Sequence, residues 1–291
     1  SPGANERRVA RRRDDARVRS GRLDRQEGAG LGTGPEGSGG TTTLHALVKH
    51  VDLFVTSLVS MEDHDEPELM QVTQMKIDPA SGEDFETVYK RGMRDEPDIV
   101  MVDDLDHPER MERLFTFAAE DGMLLGPMRV KRSPKAIIRL LQQGLSPKLL
   151  HNSLSAVLNQ RLVRKLCPEC KEEYEPSKKL RKRLNVGPEE PFTLYKAAGC
   201  GECLETGYSG RTALFELLVF AGDVKELVQK AAAGEAKLSS KALRKAAGGN
   251  ALRSLEKHGM QKVKEGVTSL REVQRVLSSS GSSSGARKKA N

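Results

Sequence analysis

The sequence predicts an α/β fold with a helical C-terminal part organised around cysteines, on three observations. Short apolar runs of strand character alternate with helical repeats from residue 31 to 166, which implies a parallel or mixed sheet covered by helices. A glycine-rich stretch, Gly32 to Val48 (GTGPEGSGGTTTLHALV), runs straight into one of those helices. All four cysteines then fall in two C-x-x-C pairs beyond residue 166.

A chain of 291 residues holds one large or two moderate domains, each able to bury a core. Hydrophobic residues at 37% and charged residues at 31% suit a soluble protein that is polar for its size. No apolar run approaches the ~20 residues that span a bilayer. No apolar stretch of a signal peptide follows the arginine-rich N-terminus. The expected location is therefore cytoplasmic, with membrane contact only through partners. Residues 1–30 hold nine Arg against five acidic residues, and Arg287, Lys288 and Lys289 lie in 278–291, so the two ends account for the whole formal charge of +7. A nucleic-acid-binding fold carries its charge on one face. The basic ends read instead as solvated tails, 1–30 and 278–291, and nucleic acid is not an expected partner.

Thr41 to Val51 is predicted helical, with Leu44, Leu47, Val48 and Val51 on one face. The residues just before it, Glu27 to Thr33, make a poor strand because glycine dominates them. Leu53 to Met61 (LFVTSLVSM) is strand-like and ends in the acidic run Glu62-Asp63-His64-Asp65-Glu66. A helix is expected over Glu83 to Arg94, a buried strand at Ile99 to Val102 ending in Asp103-Asp104, and a helix from Pro108 to Ala119. Met123 to Leu125 is apolar, and Pro134 starts a helix carrying Ile137, Ile138, Leu140 and Leu141. Pro147 to Leu166 reads as one long helix, because Leu149, Leu150, Leu154, Val157, Leu158 and Leu162 recur at helical spacing. Thr212 to Val219 is a strand, and short helices continue to Leu277. The expected division is 31–166 for the α/β core and 167–277 for the cysteine-bearing helical part.

The glycine-rich stretch has the outline of a phosphate-binding loop, G-x-x-x-x-G-K-[ST], in which backbone N–H groups cradle phosphates and the lysine reaches them. Gly34 opens it, Gly39 closes it and Thr41 supplies the hydroxyl, but Gly40 stands where the lysine belongs. The candidate nucleotide-binding segment is Gly34, Pro35, Glu36, Gly37, Ser38, Gly39, Gly40, Thr41 and Thr42. Glu36 places a negative charge inside it, where phosphate would be repelled.

Cys167-Pro-Glu-Cys170 and Cys200-Gly-Glu-Cys203 are separated by 29 residues. Paired knuckles of this kind put four thiolates within ~2.3 Å of one tetrahedral ion, the arrangement of a closed structural zinc site. The separation exceeds the ~15–20 residues of common ribbons, so the segment between must form a loop or helix of its own. Disulfides are the alternative, disfavoured in a reducing compartment.

These pieces, taken in order, resemble the C-terminal ATPase half of the type II secretion and type IV pilus assembly ATPases (protein E of the secretion system). Arg139-Leu140-Leu141 with Gly144 looks like the family's R-L-L-x-x-G helix, and Gln160 to Arg164 with Leu166 to Cys170 looks like its Q-R-L-V-R…L-C-P-x-C run. Gly199 to Cys203, Thr206 to Arg211 (TGYSGR), Leu214 to Leu217 and Gly266 to Leu270 continue the match over residues 134–277. The resemblance implies a RecA-like P-loop NTPase fold, ATP and Mg²⁺ as cofactors, a homo- or hetero-oligomeric ring (hexameric in the family), and an inner-membrane secretion or pilus platform as partner. It carries the family's acidic box onto Glu62, Asp63 and Glu66, its arginine-rich segment onto Lys90, Arg94, Pro97 and Asp98, and its catalytic glutamate onto Asp104. Asp104, Glu62 and Asp63 are thus the candidate catalytic residues, and Arg94 joins the nucleotide-binding set. The family's histidine box is reduced to Asp121-Gly122-Met123-Leu124-Leu125, and Arg129 to Arg132 occupies the place of its second histidine.

Phosphoryl transfer needs loop donors, a lysine, Mg²⁺ and a carboxylate that orients water. The first and third are available here through Gly37, Gly39, Gly40 and Thr41. The lysine is absent, and Asp104 is one methylene short. The leading expectation is a secretion or pilus assembly ATPase homologue of weak or absent activity, acting as ring subunit or regulator. The alternatives are an active motor completed by a neighbouring subunit, and a zinc-organised interaction module with no nucleotide role.

Overall fold

The computed structural model describes residues 28–278, apart from 121, 185, 188, 189, 191 and 249–251. Most of the two segments read as tails, 1–27 and 279–291, lies outside the described residues. In chain order the fold runs β1 (Gly28–Thr33), α1 (Gly40–Val48), β2 (Leu58–Glu62), β3 (Thr73–Lys76), α2 (Phe85–Met93), β4 (Ile99–Val102), α3 (Pro108–Glu120) and β5 (Met123–Met128). Then come α4 (Ser133–Gln142), α5 (Pro147–Ser153), β6 (Leu154–Leu166), β7 (Glu172–Tyr174), α6 (Lys178–Arg183) and β8 (Leu194–Lys196). The chain ends with β9 (Tyr208–Val219), α7 (Asp223–Ala232), α8 (Ser240–Ala247), β10 (Leu252–Arg253), α9 (Leu255–Lys264) and α10 (Leu270–Ser278).

Eight strands form one sheet in the order β10-β9-β6-β1-β5-β4-β2-β3. The pairs from β6 through β1, β5, β4 and β2 to β3 are parallel, and β9 and β10 are added antiparallel. The fold is therefore mixed α/β with a mainly parallel sheet. Alternation sorts the strand residues onto two faces. Ile99, Met101, Leu58 and Leu125 meet Leu44 and Val48 of α1. Val100, Val102, Val59, Met61 and Leu124 point the other way, into the main core with Leu114, Phe115 and Ile137 of α3 and α4. A third cluster joins Val163 and Leu214 of β6 and β9 to Leu255, Val263 and Val273 of α9 and α10.

Two sequence expectations are corrected here. Glu27 to Thr33 looked too glycine-rich for a strand, yet Gly28–Thr33 is β1, at the centre of the sheet. Its Ala29 and Leu31 fill the main core, while on the opposite face a Cβ at Gly30 would lie 3.1 Å from Leu125 Cδ2. Glycine there leaves room for the side chains between the sheet and α1. The segment 147–166 is not one helix. Helix α5 stops at Ser153, and Leu154 turns to extended backbone (φ −75°, ψ 126°) to begin β6. Beside β1 the register jumps from Ala29↔Leu154 to Gly30↔Ala156, leaving Ser155 as an extra residue. That bulge puts Leu154 and Val157, three apart, into the same core, which imitates helical spacing. The strand-like segment at 53–61 also narrows, since its regular part starts at Leu58.

A buried carboxylate fixes the last helix. Glu272 has no exposed side-chain surface and is held by Arg275 (2.6 and 2.8 Å), by Arg164 Nη2 (2.7 Å) and by the Arg164 N–H (3.1 Å). Burial alone would raise its pKa, but the hydrogen bonds from Arg275 and Arg164 outweigh it and hold the carboxyl at about 2, against an ordinary 4.5. A depressed carboxylate pKa gives stability that is complete above the unfolded value and lost as pH falls through the folded one. Glu272→Gln should therefore lower urea stability at pH 7 by about 2 kcal/mol, the order of charge-assisted hydrogen bonds, because both arginine partners are partly exposed. It should also flatten the stability loss between pH 5 and 2, and an unaltered pH profile would contradict this assignment.

Candidate nucleotide site and thiol centre

The turn between β1 and α1 has the curl that its glycines permit. Gly37 (φ 71°) and Gly39 (φ 84°) occupy left-handed backbone, and the Ser38 N–H donates to Pro35 O at 3.1 Å. A Cβ at Gly34 would lie 2.2 Å from Ser38 Oγ and 2.9 Å from Gln160 O, so no other residue fits there. Gln160, buried on β6, closes the turn from above. Its Nε2 donates to Ser38 O at 2.7 Å, and its Oε1 accepts from Thr43 Oγ1 at 2.5 Å. One amide thus grips the chain both before and after the start of α1. Its neighbour Asn159 donates to Thr33 Oγ1 (2.8 Å) and Val130 O (3.2 Å), tying β6 to the ends of β1 and β5.

Beyond the turn, a narrow cleft opens at the C-terminal ends of β2, β4 and β5, against α1. Thr41, His45, Ser60, Glu62, Glu66 and Asp103 supply its polar lining, and among the described residues no Lys or Arg joins them. Glu62 is buried and accepts from Ser60 Oγ (2.6 Å) and Gln74 Nε2 (2.9 Å). Asp103 is 8% exposed. Its Oδ2 accepts from the Asp63 and His64 N–H groups (2.9 and 3.0 Å) and contacts His64 Nδ1 at 3.0 Å. Its Oδ1 is buried with no hydrogen-bond partner among the described residues. The Asp103 hydrogen bond holds the His64 imidazolium above its usual range.

The structure does not gather all the residues that sequence reading assigned to this site. Asp104 accepts from the Asp106 N–H at 2.8 Å and pairs with Arg129 at 3.4 Å, and it does not line the cleft. Asp63 is taken by Arg110 in a bidentate pair (2.6 and 2.8 Å). Burial works against that carboxylate, but Arg110 outweighs it and keeps its pKa low. Arg94 caps the C-terminal end of α2 just before β4, at the sheet edge opposite the turn. Glu36 is exposed on the turn, and a Cβ at Gly40 would meet nothing within 4 Å. Thr42 is exposed on α1. Asp103 and Gln160 are the residues that sequence reading passed over. Strand alternation beyond Val102 could have signalled the first; the second makes contacts more than 100 residues away.

The four cysteines converge. Their Sγ atoms all lie within 4.8 Å of one another, with 4.0 Å between Cys167 and Cys200, 3.8 Å between Cys170 and Cys203, and 3.7 Å between Cys200 and Cys203. None is in a disulfide. Burial pushes the Cys170 thiol up to about 12. At Cys203 burial also acts upward, but the N–H groups of Cys200 and Gly207 outweigh it and bring the thiol down to about 6. The N–H groups of Gly199 and Gly207 point at Cys170 and Cys203 sulfur at 3.3 and 3.1 Å. Four sulfurs ~2.3 Å from one tetrahedral ion lie about 3.8 Å apart, so this donor set fits a single metal ion. The intervening segment is the antiparallel pair β7–β8 with α6.

Comparison with known proteins agrees with this architecture. A family model described as type II/IV secretion system protein matches residues 11–275. The type II secretion system ATPase E of Vibrio cholerae is 34% identical over 258 residues, covering 89% of this chain and 50% of that protein. The type IV pilus assembly ATPase PilB of Myxococcus xanthus is 32% identical over 257 residues, covering 86% of this chain and 44% of that one. The chain therefore spans about half the length of these curated relatives. In fold it is similar to the pilus retraction motor PilT with bound ADP (TM-score 0.60, 17% identity, 87% of this chain and 62% of that one). It is similar also to the Legionella pneumophila ATPase DotB (TM-score 0.59, 15% identity, 87% and 61%). By its turn, its parallel sheet and this match over nearly its whole length, the chain belongs to the type II/IV secretion system protein family.

Proposed function

We propose that the chain is a ring subunit or regulator of a type II secretion or type IV pilus assembly machine, with a nucleotide site that hydrolyses ATP weakly or not at all. One observation carries the reading: the cleft beside the turn presents Glu62, Glu66 and Asp103, and no described Lys or Arg. A triphosphate there would face like charge in a partly desolvated site, where repulsion is far stronger than in water. The template for phosphoryl transfer offsets such charge with a lysine on the phosphates and with Mg²⁺ held by carboxylates, and the lysine is the part missing here. The turn itself keeps its curl and its amide clamp, so Gly34 to Thr42 and Mg²⁺ at Thr41 remain the route by which nucleotide would bind. Asp104, engaged by Arg129, is poorly disposed to orient water. Asp63, engaged by Arg110, supports the fold more than the chemistry.

Zinc is the ion proposed for Cys167, Cys170, Cys200 and Cys203. A closed four-sulfur shell leaves no open position for substrate, so its role is to hold β7, β8 and the start of β9 to the end of β6. Among the described residues no helix is long and apolar enough to cross a membrane. The proposed setting is the cytoplasmic face of the inner membrane, reached through a secretion or pilus platform and a hexameric ring.

Two measurements test these assignments. The purified protein should turn over MgATP at least a hundredfold more slowly than the roughly 10 per second typical of enzymes. Gly40→Lys, which meets no steric obstacle, should raise MgATP affinity in calorimetry. Turnover near 1 per second in the unmodified protein would establish the alternative, an active motor whose cation comes from a neighbouring subunit. Separately, a strong chelator should release one zinc ion per chain and lower the thermal midpoint by about 5 °C or more. Cys203→Ser should abolish that zinc, and a metal-free preparation of unchanged midpoint would remove zinc from the account.

A further inference from the structure

Among the described residues no Lys or Arg lines the cleft, so a phosphate bound over the turn would need a cation delivered from the rim. Strand β5 supplies one. It pairs in parallel with β1, and the last register partners are Thr33 and Met128. One position further on, Gly34 opens the turn and Arg129 leaves β5, about one strand spacing away, ~5 Å. Alternation settles which face it takes. Leu125 packs under α1 and Pro127 lines the cleft, so Arg129 continues the side of β5 that faces α1. His64 feels the same charge. Its imidazolium is raised mainly by the hydrogen bond to Asp103, and Arg129 is among the groups acting against it. The guanidinium therefore stands near the His64–Asp103 contact, at the mouth of the cleft.

Arg129 is held there loosely. It pairs with Asp104 at 3.4 Å, and its side chain is 65% exposed. A pair open to water on its cationic side contributes little, so it yields to a better partner. Other arginines that follow β4 and β5 are committed. Arg110 grips Asp63 with two bonds, Arg132 joins Glu216 and Glu256, and Arg139 pairs with Asp106 at 2.9 Å. Phosphate is the better partner for a guanidinium, because it offers a bidentate face and more charge than a carboxylate. We propose that Arg129 is the phosphate-binding cation of this site, supplying from β5 the charge that is missing at Gly40. At rest Asp104 holds it. With a nucleoside triphosphate on the turn, the guanidinium swings from Asp104 onto the terminal phosphates. Asp104 is then a competitor of the nucleotide, since binding must break its pair. The proposal rests on the reading of Gly34 to Thr42 as a nucleotide site, and it stands whether or not ATP is hydrolysed.

Calorimetry of the non-hydrolysable triphosphate AMP-PNP with Mg²⁺ on the purified full chain provides the test. Arg129→Gln should weaken binding about tenfold or more, the worth of a charge-assisted contact. Arg129→Lys should recover part of that loss, because it keeps the charge without the fork. Asp104→Asn, which frees the guanidinium, should tighten binding about threefold, the scale of an exposed pair. The opposite signs are the decisive readout, since a merely structural pair would weaken binding when either partner is changed. Equal affinity in Arg129→Gln and the unmodified protein would overturn the proposal. Weaker binding in both Arg129→Gln and Asp104→Asn would overturn it, and so would no binding by the unmodified protein at millimolar nucleotide. Turnover of MgATP does not enter this readout. Turnover of about 1 per second would remove the reading of weak hydrolysis and leave these affinities standing, whereas equal affinities would remove the role of Arg129 and leave the turnover result standing.

Discussion

Strand β6 is the constraint on which the rest of the molecule depends. It pairs in parallel with β1 along one edge and antiparallel with β9 along the other, so it joins the parallel half of the sheet to the antiparallel half. Because it runs on past the end of β1, its successive side chains serve different parts of the fold. Asn159 and Gln160 hold the turn, Arg164 meets Glu272 on the last helix, and the next residue after the strand is Cys167 of the thiol centre. A strand hydrogen-bonded on both edges cannot slide without moving its whole side-chain set to the wrong face. The phosphate-type turn, the C-terminal helices and the cysteines are therefore held in one register.

The chemistry of the cleft is separable from that scaffold. Helix α1 is held to the sheet by Leu44 and Val48 against Leu58, Ile99 and Leu125, with Gly30 making room. None of these contacts involves charge. A burial of this kind contributes about 1.5–3 kcal/mol for each large apolar side chain, so the architecture survives whatever sign of charge the cleft carries. Within the acidic run, the carboxylates divide by partner. Asp63 is locked by Arg110 and fixes α3 to the end of β2, whereas Glu62, Glu66 and Asp103 face the cleft. Burying carboxylates near one another is tolerated only where hydrogen-bond donors are provided, as Ser60 and Gln74 are for Glu62 and the backbone is for Asp103.

What the sequence disclosed follows from how local each signal is. The cysteine pairs and the strand Ile99 to Val102 are written in short spacings, and the structure brings the four sulfurs together and makes 99–102 a strand. Helix α1 forms too, but it ends at Val48 rather than Val51 and leaves Leu47 exposed. The strand β1 escaped because β propensity rewards side chains that pack, whereas this site needs their absence. The long helix 147–166 was a phase error: the extra residue Ser155 shifts the alternation so that Leu154 and Val157 share a core. At the site, the order Asp103-Asp104 could be matched to a family pattern. The direction each side chain takes depends on Arg129 and on the N–H groups of residues 63 and 64, about 25 and 40 positions away. Long-range partners of this sort are not carried by local spacing.

The departures from the family pattern fall where they disturb packing least. In the turn, the positions that match are Gly34 and Gly39, where a Cβ would collide with Ser38 and with Gln160, and the clamp residue Gln160 itself. The position that departs most is Gly40, where a side chain would meet open space, and the charge placed inside the loop, Glu36, is solvent-exposed. A side chain at residue 40 would therefore contribute little to the fold, so the absence of a lysine there has no cost in packing. The thiol centre is the opposite case. Cys167 and Cys203 are buried, the Cys203 sulfur accepts from the N–H groups of Cys200 and Gly207 and the Cys170 sulfur from that of Gly199, and the Cys167 N–H itself bonds Gly207 O. Changing one of these cysteines would leave three crowded thiols and a broken junction between β6 and β9. The fold thus constrains the cysteines and the packed glycines of the turn, and leaves residue 40 free of any packing constraint.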